Sequence, residues 1–252
     1  MAMADWRGQH IQFVWFLADV EGLVAAEVFR RVWATEPEQT QQNRAPNPSN
    51  PFLSVASTAV SGLTSQVQIQ PGRIDVLLVA EPGQEDQSVF KSLFDLNQHL
   101  LALVEGITAK QAVDRDAFRL SAVATLLKPV DTYNDGVKEF TNSLGFDFAI
   151  SNPSDLMFQV NSRKIIGGIN MNRVLQISTM GFQTFNLPLM AGAPIPGPGS
   201  TATQYAARRH LDFNTAPDGK LLERTRHAPI FKALADELRR VARNGTLEAL
   251  RT

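Results

Sequence analysis

Three aspartates, Asp75, Asp155 and Asp212, lie in or beside apolar, strand-like runs, where an ionised side chain needs partners. Two such carboxylates brought into one cleft could serve a metal-dependent phosphoryl hydrolase or a glycosidase. Their spacing also suits a simpler role. Asp75 follows Arg73 by two, so both project from one strand face and can pair locally. Asp212 and Asn214 share a face in the same way. Catalysis is therefore left open, with Asp75, Asp155 and Asp212 as the candidate carboxylates.

The densest polar group of the second half is Asn161, Arg163, Asn170, Asn172 and Arg173. Amides and guanidinia of this kind can hold an anionic ligand or a peptide backbone. Gln39, Gln41, Gln42, Asn43 and Arg44 form a comparable group in the first half. The candidate partner-binding residues are Gln42, Asn43, Arg44, Asn161, Arg163, Asn172 and Arg173. If the two halves are repeats, these segments would converge on one composite surface.

Other chemistries lack their residues. Cysteine is absent, which removes disulfides, thiolate catalysis and cysteine-ligated metals. The four histidines, His10, His99, His210 and His227, are isolated in sequence, and no His-Glu-x-x-His helix occurs. Gly167-Gly168 has neither the spacing nor the Lys-Ser or Lys-Thr of a phosphate-binding loop. No Gly-x-Ser-x-Gly nucleophile elbow is present. No cofactor and no metal are expected.

Charge adds a polarity that the total conceals. The 252 residues carry 24 Lys or Arg and 25 Asp or Glu, a net of -1. Residues 208–252 hold ten basic and six acidic residues, whereas residues 1–207 hold fourteen and nineteen. Arg208, Lys220, Arg224, Arg226 and Arg240 are the candidate basic surface, and nucleic acid is a secondary expectation. Arg239, Arg240 and Arg243 also suit the negative end of a terminal helix. No run is apolar enough for a helix to span a membrane, and the N-terminus lacks a secretory pattern. A cytoplasmic setting follows as the default expectation.

The elements that must position these groups begin with Ile11–Ala18, so continuously apolar that it predicts a central strand covered on both faces. An amphipathic helix is predicted over Asp19–Trp33, and residues 36–51, rich in Pro, Asn and Gln, predict a long surface loop. Phe52–Ala59 predicts a strand. Residues 66–70 and 73–79 predict a hairpin through a Pro71-Gly72 turn. Val89, Leu93, Leu96, Leu100 and Val104 form a stripe that predicts a helix over 86–105, ended by Gly106.

The second half repeats this order. Phe118–Leu127 predicts a strand closed by Lys128-Pro129, and 131–143 a helix. Short strands follow at 147–150 and 155–160, with a longer one at 174–185. Leu187–Gly199, with four prolines and three glycines, predicts a flexible linker. Residues 202–214 predict a strand, and Ala228-Pro229 opens an amphipathic helix that stops near Asn244-Gly245.

The expected fold is α+β: two similar lobes with mainly antiparallel sheets, packed helices and a C-terminal amphipathic helix. Residues 1–110 form the first lobe and 111–187 the second. Residues 188–200 form the flexible segment, and 201–252 complete the second lobe. The preferred function is non-catalytic, a protein-interaction or assembly component bound to another protein or to a second copy of itself. The alternatives are a metal-dependent hydrolase and an accessory nucleic-acid binder.

Overall fold

The computed structural model describes residues 6–82, 88–146, 153–185 and 201–251. Nine strands form one continuous antiparallel sheet: β1 (Arg7–Leu17), β2 (Gln39–Gln42), β3 (Ser54–Val60), β4 (Leu63–Gln70), β5 (Arg73–Ala80), β6 (Ala117–Val130), β7 (Met157–Ile166), β8 (Ile169–Phe185) and β9 (Thr201–Thr215). Their order across the sheet is β2-β3-β4-β5-β1-β6-β9-β8-β7. The helices are α1 (Ala25–Trp33), α2 (Leu96–Ala109), α3 (Tyr133–Leu144) and α4 (His227–Asn244). The molecule is therefore a mixed α+β fold with a nine-stranded antiparallel sheet and a long C-terminal helix. None of its described helices is long and apolar enough to cross a membrane.

Connectivity places the first strand of each half, β1 and β6, at the centre. β1 pairs with β5 and β6 with β9, while β1 and β6 pair with each other. The β4–β5 hairpin forms through Pro71-Gly72, with Gly72 at φ +71°, a conformation that a Cβ would strain. The β7–β8 hairpin turns at Gly167-Gly168, with Ile166 opposite Ile169.

All four helices lie against one face. On that face Phe231 of α4 meets Phe13 and Trp15 edge-on, at centroid separations of 5.3 and 4.6 Å. Ile230, Leu234, Leu238 and Val241 continue the buried stripe of α4 at helical spacing. α1 reaches β3, where the Ala25 amide donates to Ser54 Oγ at 3.1 Å. α3 reaches β9, where Arg209 donates to Ser143 Oγ at 2.8 Å. Arg209 is itself buried, with its guanidinium 3.8 Å from the Trp6 ring centroid, and burial pushes its pKa down to about 10.

Several boundaries differ from the pattern-based expectations. α1 starts at Ala25 rather than Asp19. The helix expected over 86–105 begins at Leu96, because Asp95 caps it by accepting from the Gln98 amide at 2.7 Å. Phe90 and Leu93 precede it, and their apolar spacing reflects loop packing: Phe90 meets Phe182 edge-on at 5.3 Å. Gly106 does not end α2. It lies inside the helix, where a Cβ would come within 2.4 Å of the Val32 carbonyl oxygen, so glycine allows α1 and α2 to close. The strand expected to stop before Lys128-Pro129 runs to Val130, because Pro129 lies beyond Leu127, where pairing with β1 ends.

The loop expected over 36–51 contains β2, an edge strand whose four residues are all exposed. Backbone pairing to β3 alone makes that strand, which is why its side chains carry no strand signal. The strand expected at 147–150 and the Pro/Gly-rich segment at 188–200 lie outside the described residues.

Candidate functional site

β1 is central, as its apolar run predicts, but helices cover only one of its faces. The opposite side chains, His10, Gln12, Val14 and Phe16, point to a face on which the described residues place no helix. Antiparallel pairing aligns this face into transverse rows, because opposed residues project to the same side. One row runs Asp75, Val14, Ser121, Asn214, Asn172 and Arg163 across β5, β1, β6, β9, β8 and β7. Two residues further along, Arg73, Phe16 and Arg119 are opposed; two residues in the other direction come Leu77, Gln12, Val123, Asp212, Val174 and Asn161.

Hydrogen bonds lock these rows. Arg163 Nε donates to Asn172 Oδ1 at 3.1 Å, and Asn172 Nδ2 donates to Asn214 Oδ1 at 3.1 Å. Asn214 Nδ2 donates in turn to Asp212 Oδ1 at 3.1 Å, and Ser121 Oγ donates to the same oxygen at 2.7 Å. The relay crosses four strands and ends on one carboxylate. Every amide in it has its orientation fixed by the next acceptor.

A second network lies across β1. Asp75 is 1% exposed and accepts from Gln12 Nε2 at 2.6 Å and from Arg73 Nε and Nη2 at 2.8–2.9 Å. Arg73 and Arg119 flank the ring of Phe16, with Cζ 5.3 and 5.0 Å from its centroid. Arg119 Nε is buried without a hydrogen-bond partner among the described residues.

The next row carries His10, Thr125, His210, Gln176 and Gln159. Thr125 Oγ1 lies 3.0 Å from His210 Nδ1, and Arg208 Nη1 donates to Gln176 Oε1 at 2.7 Å. Burial, with His210 and Arg208 nearby, pushes the His10 pKa down to about 4. Burial and Arg208 also lower that of His210, against an opposing pull from Asp212.

The candidate carboxylates do not form a pair. Asp75 on β5 and Asp212 on β9 are three strand spacings apart, roughly 14 Å. Each is already engaged in its own network. Asp155 is exposed in the segment before β7 and accepts from Ser154 Oγ at 3.2 Å. Among the described residues, no group of three or more His, Asp or Glu side chains is placed to hold a metal ion.

The polar segments expected to converge do not. Gln42, Asn43 and Arg44 are at the β2 edge, whereas Asn161, Arg163 and Asn172 are on β7 and β8 at the opposite edge, roughly 35–40 Å away. Asn161 and Arg163 are exposed on the helix-free face. Arg173 is not available to a partner. It projects to the helix side, is 3% exposed, and donates from Nη1 to Glu237 Oε1 and from Nη2 to the Leu250 carbonyl, both at 2.7 Å. Alternation explains the difference: Asn172 and Arg173 are neighbours and must face opposite ways.

The basic candidates are likewise divided. Arg208 is half-buried on the helix-free face. Arg240 belongs to α4 and grips Glu237 through Nε and Nη2, each at 2.7 Å. Lys220, Arg224 and Arg226 are exposed in the segment before α4, and Arg224 is ion-paired with Asp114. They therefore do not make one patch. Gln12, Phe16, Arg119 and Ser121 were not legible as site residues, since only register across β1 and β6 brings them beside Asp75 and Asp212.

Compared with protein-family models, with curated proteins and with solved structures, the chain gives no match.

Proposed function

We propose that this chain is a non-catalytic recognition module of a cytoplasmic complex, and that it binds an acidic segment of another protein on the helix-free face of its sheet. The observation that carries this reading is the pre-ordered face itself. Cross-strand hydrogen bonds hold its amides and guanidinia in place before any partner arrives, which lowers the entropic cost of binding. Arg73, Arg119, Arg163 and Arg208 project there against Asp75 and Asp212, so the charge balance favours a carboxylate-rich partner. Phe16, between Arg73 and Arg119, supplies the planar apolar anchor that interface centres favour.

The arrangement of the halves supports a related inference, that the chain arose by duplication and comprises two similar lobes sharing one sheet. Each half runs strand, helix, antiparallel strands, helix, and pairs its first strand with its last. In this reading the recognition face straddles the β1–β6 junction.

The test is co-purification of the intact protein at low and moderate salt, beside an Arg119→Ala, Arg163→Ala variant. The expected result is a stoichiometric acidic partner, lost with salt and with the variant. Retention of the partner by the variant, or a self-associated protein with no partner, would overturn the proposed occupant.

A further inference from the structure

On the helix side of the sheet, away from that face, the C-terminal end of α2 and the N-terminal end of α4 leave a cavity of about 280 Å³ against β1. Trp15, Phe231, Ile107 and Val113 supply its apolar walls, while His227 and Arg224 also line it. Two of these residues are almost fully buried yet carry unpartnered nitrogens. Trp15 is 1% exposed and His227 is 4% exposed. Neither Trp15 Nε1 nor His227 Nδ1 has a hydrogen-bond partner among the described residues. Burying such groups unpaired is costly, so two residues that carry them and line one cavity are a specific signal.

Their chemistry defines the missing partner. His227 Nε2 lies 3.1 Å from the Leu222 carbonyl oxygen, which only accepts, so Nε2 carries the proton. In the neutral ring Nδ1 is then an acceptor. Burial lowers the pKa of His227 against weaker opposing pulls from the Leu222 carbonyl and Asp116, which favours that neutral ring. Trp15 Nε1 can only donate. Arg224 is already ion-paired with Asp114, and its amide donates to Asp116 Oδ1 at 2.9 Å, so the rim offers no free charge for an anion.

We propose that this cavity binds an uncharged, planar N-heterocycle, which accepts from Trp15 Nε1 and donates an N–H to His227 Nδ1. The volume suits on the order of a dozen non-hydrogen atoms at interior packing density. Trp15 and Phe231 meet at 66°, so a flat ring can lie against one and meet the other edge-on.

Titration of the full chain with hypoxanthine and with 2-quinolone tests this, read by the ¹H–¹⁵N resonance of the Trp15 indole, which Trp15→Phe identifies. Naphthalene and 2-naphthoate are the ring-matched apolar and anionic controls. The expected result is a saturable downfield shift of that resonance with at least one heterocycle. Affinity should fall at least tenfold in Trp15→Phe, measured by calorimetry, and neither control should give the shift. Absence of a shift at millimolar concentrations of both heterocycles would overturn the proposal, as would equal binding by naphthalene or unchanged affinity in the folded Trp15→Phe variant.

Discussion

Arg119 stacks on Phe16 across the β1–β6 pairing, its guanidinium carbon 5.0 Å from the ring centroid, while Arg73 approaches the same ring from β5. A half-buried aromatic ring on the side of the sheet where the described residues place no helix needs partners. Here two arginines screen it, Arg119 from β6 and Arg73 from β5, the latter while its Nε and Nη2 donate to the buried Asp75. The relationship ties the hydrophobic pattern of β1 to recognition: Phe13 and Trp15 build the core, and Phe16 serves the opposite surface.

Replacing Phe16 with alanine therefore separates binding from folding. Phe16 is only half-buried, so its loss should cost about 1–2 kcal/mol, below the range for a core phenylalanine. Partner affinity should fall at least tenfold. Denaturant unfolding and a binding titration on one preparation read both effects.

Glu237 holds two cations, Arg173 and Arg240, at 2.7 Å. Burial pushes its carboxyl upward, but hydrogen bonds from Arg240 and Arg173 outweigh that and hold it below the usual carboxylate range. Glu237→Ala leaves Arg173 buried without its carboxylate and should destabilise by about 3–5 kcal/mol. The double change Arg173→Met, Glu237→Met should recover much of the loss, since the remaining cation, Arg240, is a third exposed and can be solvated. Urea midpoints of the three proteins check this.

The closeness of α1 and α2 predicts that Gly106→Ala is destabilising, although alanine has the higher helix propensity. The added Cβ would meet the Val32 carbonyl, a backbone atom that cannot rotate away. The expected cost is about 1–3 kcal/mol, seen as a lower Tm.

Low pH should weaken the fold through His10. Its folded pKa, about 4, is below the ordinary value of 6.5, so the unfolded chain binds more protons between those values. Stability from this group is complete above pH 6.5 and is lost as pH falls towards 4. The loss amounts to roughly 2–3 kcal/mol. His10→Gln should flatten that part of the stability profile, measured by chemical denaturation from pH 4 to 7.

These features differ in how far the sequence reveals them. The β4–β5 hairpin, α3, α4 and the central place of β1 are legible because turn residues and apolar periods are local. The Arg73–Asp75 pair is legible for the same reason, from i,i+2 spacing on one strand. Ser121, Asn214 and Gln12 are not, because their roles depend on which strands become neighbours and in what register. Arg173 shows the opposite error: it looks like part of a polar cluster with Asn172, yet alternation sends it under α4 to Glu237. The early boundary drawn for α2 has the same origin, since a loop packed on the sheet imitates a helical stripe.

Site-specific photo-crosslinking tests the central claim most directly. A photoreactive residue at Asn161 or Gln159, both exposed on the helix-free face, is compared with one at Lys110 on the helix side of the sheet. In cells containing the intact protein, positions 161 and 159 should capture one acidic protein, and Arg119→Ala should abolish capture. Capture of that protein only from position 110, or from 161 and 159 regardless of Arg119, would contradict recognition by this face.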